Sequence, residues 1–255
     1  MKNRDAILKK LRSAVKNGDA VIVCGAGTGL FAHAAAAGGA DIIIGSMESR
    51  CRADGHDSLK ALMPMFDANK ETVELGKHLV PVADGTPVVA GLAAWDASGS
   101  FVSSVDSCVK WGYSGIANVP SVGRYGKCFR EAADGKAASY GDEVALIKYA
   151  HDSGLFTMAF AFTEEDVRLM LDAGADVIVA CAEDTKSLAA LTAAAKSNRP
   201  DAIVLLNSRS IHSFEDAERA LKETGAAGIA ADELLDQIPA LDGMKQAFSY
   251  CMSFE

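Results

Sequence analysis

The feature that most constrains this chain is a repeating alternation. Short apolar runs are each followed by an amphipathic stretch, and several of those stretches stop at a glycine. The runs are Ala20–Cys24, Asp41–Gly45, Pro87–Leu92, Gly115–Val119, Leu155–Phe160, Asp176–Cys181, Ala202–Leu206 and Ala227–Ala231. They are apolar at consecutive positions, as strands buried on both faces must be. Between them lie helical patterns such as Glu164–Ala173 and Asp216–Glu223. Gly39, Gly112, Gly154, Gly174 and Gly225 sit just before the next run, where a helix ends cheaply in the left-handed conformation. Strands alternating with helices form a parallel sheet with right-handed crossovers.

Two phrases resemble each other, Gly38-Gly-Ala-Asp-Ile-Ile-Ile-Gly and Ala173-Gly-Ala-Asp-Val-Ile-Val-Ala. They read as the second strands of two (βα)₄ halves, which favours a closed barrel over an open sheet. The 255 residues suit one α/β barrel of about 250. Residues 1–255 are therefore expected to form a single (βα)₈ TIM-barrel domain, with residues 1–18 a helix capping its N-terminal mouth. The tail from Asp242 to Glu255 is expected to finish the last helix.

Charge and composition exclude several classes of function. The formal net charge is −9, which repels a phosphate backbone, so no nucleic-acid partner is expected. The longest apolar runs fall well short of the roughly 20 residues of a membrane span, and the N-terminus lacks the apolar core of a signal peptide. The six cysteines include no CxxC pair and read as reduced thiols in a cytoplasmic protein. No HExxH, GxxxxGK or GxSxG motif occurs, which argues against a zinc protease, a P-loop NTPase or an α/β-hydrolase.

In a (βα)₈ barrel, chemistry sits where strands end and βα loops begin. The first such loop, Gly25-Ala-Gly-Thr-Gly-Leu, offers backbone N–H groups of Gly27, Thr28 and Gly29 to an anion at a helix N-terminus. It also suggests a nicotinamide fingerprint, although Leu30 replaces the third glycine of GxGxxG; a plain tight turn is the other reading. The second loop carries Ser46, Glu48, Arg50, Arg52, His56, Asp57 and Asp67. Arg50 and Arg52 have the guanidinium fork that clamps carboxylates. Asp67 reads equally as a site residue or a helix N-cap. The fourth loop, from Asn118 through Arg124 to Glu143, has the glycines and basic residues of a mobile lid, with Glu143 also readable as compensation of a helix dipole.

These residues also carry a resemblance. Gly25-Ala-Gly-Thr-Gly-Leu, Gly39-Ala-Asp-Ile-Ile, Asp67-Ala-Asn69, Pro87-Val-Val-Ala-Gly-Leu, Gly115-Ile-Ala-Asn-Val-Pro120-Ser-Val-Gly and Tyr140-Gly-Asp-Glu143-Val together resemble the phosphoenolpyruvate hydrolase-like TIM-barrel family. The resemblance runs from about residue 4 to 250, and Asn-x-Pro-Ser-Val-Gly is its most specific phrase. It implies a barrel near the phosphoenolpyruvate/pyruvate superfamily. It also implies a lyase or hydrolase acting through a metal-stabilised enolate on a small anionic substrate, phosphoenolpyruvate-like or a 2-oxo acid.

The second half departs from that pattern. The family's His-Gly phrases after the sixth and seventh strands are replaced by Val179-Ala-Cys-Ala-Glu183-Asp and Leu206-Asn-Ser-Arg209-Ser-Ile. Chemistry that depends on those histidines is therefore not implied, and a subgroup with a different substrate or without catalysis stays open. The expected catalytic residues are Asp96, Glu183 and Asn118. The expected substrate-binding residues are Gly27, Thr28, Gly29, Ser46, Arg50, Arg124 and Asn207. Asp67, Asp96 and Glu183 are the expected ligands of Mg²⁺, because the candidates are oxygen donors without a His/Cys cluster. A homo-oligomer is the expected assembly. A non-catalytic binding or scaffold barrel and a nicotinamide-dependent dehydrogenase are the alternatives.

Overall fold

The computed structural model describes residues 3–63, 67–96, 100–133, 138–207, 211–231 and 234–251. The chain opens with helix α1 (Arg4–Asn17) and then alternates. The order is β1 (Val21–Gly25), α2 (Gly29–Ala37), β2 (Ile42–Gly45), α3 (Met47–Ala53), α4 (Ala68–Leu79), β3 (Val88–Gly91) and α5 (Phe101–Lys110). It continues with β4 (Gly115–Ala117), α6 (Lys127–Ala133), α7 (Tyr140–Asp152), β5 (Phe156–Ala161), α8 (Glu164–Asp172), β6 (Val177–Cys181) and α9 (Thr185–Asn198). β7 (Ile203–Asn207), α10 (Phe214–Thr224), β8 (Gly228–Ala231) and α11 (Gln237–Cys251) complete it. The eight strands pair in parallel, each with its sequence neighbour, and β1 pairs with β8 to close the barrel.

Every expected strand is present, displaced by a few residues at most. All five glycines expected at helix ends have positive φ, from 65° at Gly225 to 92° at Gly174. The GxGxxG fingerprint belongs to open, doubly wound sheets, so the closed barrel removes the nicotinamide-dependent dehydrogenase reading that rested on it.

A period of two lies hidden inside the continuous apolar runs. Val21 and Val23, Ile42 and Ile44, Phe156, Met158 and Phe160, and Val177 and Val179 share one interior cluster. Their neighbours Ile43, Ile116, Ile178 and Val204 pack instead with the surrounding helices. Both faces of each strand are thus apolar, as parallel strands covered by helices require. Ile7 and Leu11 of α1 join the interior cluster, so α1 lies over the open bottom of the barrel.

The repeated Gly-Ala-Asp phrase does the same work in both halves. Asp41 Oδ2 accepts from the Ile22 backbone N–H at 3.0 Å, and Asp176 Oδ2 accepts from Thr157 N–H at 3.1 Å. Each aspartate ties the foot of its strand to the preceding strand. α1 then reaches both, through Lys10 to Asp41 at 2.9 Å and Arg4 to Asp176 at 2.7 Å. The tail from Met252 to Glu255 lies outside the described residues.

Candidate active site

A parallel closed barrel brings the C-terminal ends of all its strands to one rim. Gly25, Gly45, Asn118, Cys181 and Asn207 therefore share that end of the molecule. The mouth they surround has a filled side and an open side.

The filled side lies over β8, β1 and β2. Ser46 caps α3 by accepting from Ser49 N–H at 3.2 Å, and this short helix turns Met47, Glu48, Ser49, Cys51 and Arg52 into the protein. Arg52 Nε donates to Asp236 Oδ2 at 2.8 Å, with both side chains almost fully enclosed (1% and 4% exposed). Asp236 belongs to the segment after β8, so the pair joins two ends of the chain across the closure of the sheet. Gly25 lies directly against it. A Cβ there would stand 2.5 Å from Arg52 Nη2 and 2.9 Å from Ser49 Oγ, so only glycine fits.

The other side is organised by Glu143, which is completely buried near the start of α7. Its Oε2 accepts from Asn118 Nδ2 at 2.6 Å and from Ser121 Oγ at 2.7 Å, and its Oε1 accepts from Val122 N–H at 2.7 Å. Burial pushes its carboxyl up to about 8, against these hydrogen bonds, which favour the charged form. Asn118 also exchanges two hydrogen bonds with the Phe160 backbone, extending the β4–β5 ladder through its side chain. Tyr140 donates to the same Phe160 carbonyl at 2.6 Å. The loop after β4 is thereby fixed, and it presents Arg124, whose Nη2 lies 3.1 Å from Glu48 Oε2 on α3.

Beside Arg124 opens a cavity of about 410 Å³, walled by Leu59, Phe162 and Cys181 and carrying Glu183 and Asn207 on its rim. The size falls within the roughly 300–1,000 Å³ of small-molecule sites. Arg124 comes from the loop after β4, Glu183 from the end of β6 and Asn207 from the end of β7. Glu183 is exposed. Asn207 is held by a bond from its Nδ2 to Ala230 O at 2.8 Å.

The remaining expected residues lie elsewhere. A Cβ on Gly27 would sit 2.1 Å from the Ser49 carbonyl oxygen, so the glycine serves close packing of the loop on α3. Thr28 caps α2, and Gly29 lies against the His78 carbonyl. Arg50 faces outward and pairs with Asp54 at 3.1 Å. Thr28, Gly29 and Arg50 do come together with His78, in a separate crevice of about 280 Å³. Asp67 is the N-cap of α4, accepting from Lys70 N–H at 2.8 Å. Asp96 serves the same helix end, accepting from Asn69 N–H at 3.1 Å. Arg209, Asp232 and Glu233, which the sequence also places at strand ends, lie outside the described residues.

Two ion pairs escaped sequence reasoning. Glu48 and Asp236 carry no motif, and their arginine partners come from distant segments. Glu143 had a legible signal, an acidic residue inside the family-like Tyr-Gly-Asp-Glu phrase, but it reads there as dipole compensation.

Fold and mouth together define a (βα)₈ barrel with a cavity at the C-terminal ends of its strands, the end at which barrels of this class carry their sites. Comparison with known proteins sharpens that class. The phosphoenolpyruvate hydrolase-like family profile matches residues 6–190, and the chain belongs to that family. The ToMV resistance protein Tm-1(GCR237) of Solanum lycopersicum is 32% identical over 257 residues, covering 94% of this chain and 34% of that protein. The chain thus spans about a third of the length of the first curated relatives it matches. Among solved structures, 2,3-dimethylmalate lyase, a PEP mutase/isocitrate lyase superfamily member, superposes with a TM-score of 0.64 at 19% identity, covering 100% of this chain and 89% of that one. A phosphonopyruvate hydrolase in complex with oxalate and Mg²⁺ gives 0.65 at 15% identity, covering 96% and 86%. At these identities the superpositions establish the fold.

Proposed function

We propose that the chain is an enzyme acting on a small anionic substrate, a phosphoenolpyruvate-like or 2-oxo acid, by lyase or hydrolase chemistry at the C-terminal mouth. One observation carries this reading: Arg124, Glu183 and Asn207, from three different strand ends, border one cavity. The Arg124 guanidinium pairs with the substrate carboxylate and faces the negative charge that develops on an enolate oxygen. Glu183, exposed on the rim, accepts or returns the proton. The Asn207 amide orients the substrate. Family membership and the lyases and hydrolases among the similar folds support the same class.

The Mg²⁺ implied by the resemblance meets a donor set that does not fit it. Asp67 and Asp96 both serve the first turn of α4, and Glu183 stands on the opposite rim. No group of three or more His, Cys, Asp or Glu side chains able to hold an ion occurs among the described residues.

The same reading puts the protein in the cytoplasm, without a nucleic-acid or membrane partner and as a homo-oligomer. Cys51, Cys108 and Cys128 are free thiols, which suits a reducing compartment. No helix among the described residues is long and apolar enough to cross a membrane. Leu241 and Met244 on α11 are 51% and 60% exposed, which supports association through that helix.

A turnover screen of phosphoenolpyruvate, oxaloacetate and simple 2-oxo acids tests the function. Glu183→Gln is the clean variant: an exposed substitution moves stability within about ±0.5 kcal/mol, whereas loss of a general base lowers the rate about 10²-fold or more. A parent that turns over none of these acids but binds them supports the alternative, a non-catalytic binding barrel. That alternative draws on Asn118 and Glu143, which are bonded to each other instead of facing the cavity.

A further inference from the structure

We propose that the positive charge an anion meets in the mouth is the protein's own Arg124 guanidinium, so that a small dicarboxylate binds against it without a divalent cation. This rests on the reading of the mouth as an anion site. Among the described residues, the carboxylates expected to hold a metal, and those facing Arg124 and Arg52, already have partners or stand apart. Glu48, 2% exposed, is paired with Arg124, and Asp236, 4% exposed, with Arg52. Drawing either carboxylate onto a metal would strip a buried arginine of its counter-charge.

Asp67 and Asp96 accept from Lys70 N–H and Asn69 N–H at the start of α4. That is the positive end of a helix, where carboxylates are favoured and a divalent ion is opposed. Glu143 is enclosed and accepts from three donors of the loop after β4. Glu183 reaches the cavity from the far rim and is the single carboxylate among the described residues that line it, so Mg²⁺ there would take most of its six oxygens from water and substrate.

Arginine offers what the carboxylates do not. Its planar fork matches a carboxylate in a way a point charge does not, and it stays charged at any working pH. Arg124 is fixed from both sides, by Glu48 across the mouth and by the Ser121–Val122 loop that Glu143 holds, and its side chain is 14% exposed where it borders the cavity. Arg52 is fully enclosed beneath Gly25 and neutralised by Asp236, which leaves Arg124 as the guanidinium that meets the cavity.

Isothermal titration with oxalate, a dicarboxylate shaped like an enolate of pyruvate, separates the possibilities. The parent is titrated in EDTA and in excess MgCl₂, and MgCl₂ is titrated alone. The expected result is the same affinity in both buffers and no Mg²⁺ isotherm. Arg124→Gln should weaken Mg²⁺-free binding by about 10- to 100-fold, the loss of a hydrogen bond between charged groups. Arg124→Lys retains the charge beside Glu48 and guards against misfolding; it should still bind more weakly than the parent, because it lacks the fork. Binding only in MgCl₂, or a saturable Mg²⁺ isotherm, overturns the inference and leaves the anion site standing. Mg²⁺-free binding indifferent to both Arg124 variants overturns the assignment to arginine. Oxalate binding in neither buffer overturns the inference and the anion site together.

Discussion

Arg124 Nη2 lies 3.1 Å from Glu48 Oε2, joining the loop after β4 to the helix after β2 across the mouth of the barrel. The pair decides which part of the mouth is open. α3 covers the β8–β1–β2 side, and the cavity with Glu183 and Asn207 remains beyond Arg124. Arg124 thus has one edge in the ion pair and one edge on the cavity.

The second ion pair, Arg52 with Asp236, is purely internal. Arg52→Met should cost about 3–5 kcal/mol, since it leaves Asp236 buried without its partner. The double variant Arg52→Met/Asp236→Leu should recover a large part of that loss, because an apolar pair replaces the charges. Urea denaturation midpoints with unchanged slopes measure both. A double variant no better than the sum of its singles would show the pair to be independent of each other.

Glu143→Gln is the next expectation. Both carboxyl oxygens accept hydrogen bonds, so the amide of glutamine must turn its NH₂ toward either Val122 N–H or Asn118 Nδ2. One donor then faces another, at a cost of about 1–3 kcal/mol. Chemical denaturation reads the loss, and amide hydrogen exchange at residues 121–124 should accelerate with it.

Glu143 also sets a pH dependence. Its folded carboxyl titrates at about 8, above its range in the unfolded chain, because burial disfavours the charge. The folded state therefore binds more protons between the usual carboxylate range and about pH 8. Stability from this group is full at low pH and is lost as pH rises through that window, after which the contribution is flat. Subtracting the Glu143→Gln profile from the parent's, both measured from pH 5 to 9, isolates the slope. A flat difference would mean that the carboxyl is charged throughout.

Gly27 and Gly126 give a contrast. Gly27→Val drives a side chain into the Ser49 carbonyl, with a Cβ contact of 2.1 Å, and should cost more than the roughly 1–3 kcal/mol of ordinary overpacking. Gly126 has nothing within 4 Å of its built Cβ and no positive φ, so Gly126→Ala should stay within about ±0.5 kcal/mol. Melting temperatures of the two variants distinguish a packing glycine from a free one. A stable Gly27→Val protein would overturn the packing role.

The sequence by itself determined the strand order, the glycine stops and the family. These are local or periodic properties, and each is written in a few consecutive residues: an apolar run, a Gly at a left-handed end, Asn118-Val-Pro-Ser-Val-Gly. It also marked Arg124, Glu183 and Asn207 as residues of one rim, because strand ends in a parallel barrel must meet there. Tertiary structure decided the rest. Arg50 and Arg52 are two residues apart, about 200° around a helix, so they point to opposite sides; only the seating of α3 shows that Arg52 is the buried one. Its partner Asp236 is 184 residues away, a distance no local pattern spans. The glycines after β1 look the same whether they cradle an anion or admit a neighbouring helix. The Ser49 carbonyl, 2.1 Å from where a Cβ of Gly27 would stand, reveals the packing role, because it belongs to a helix 22 residues further on that no local pattern places there.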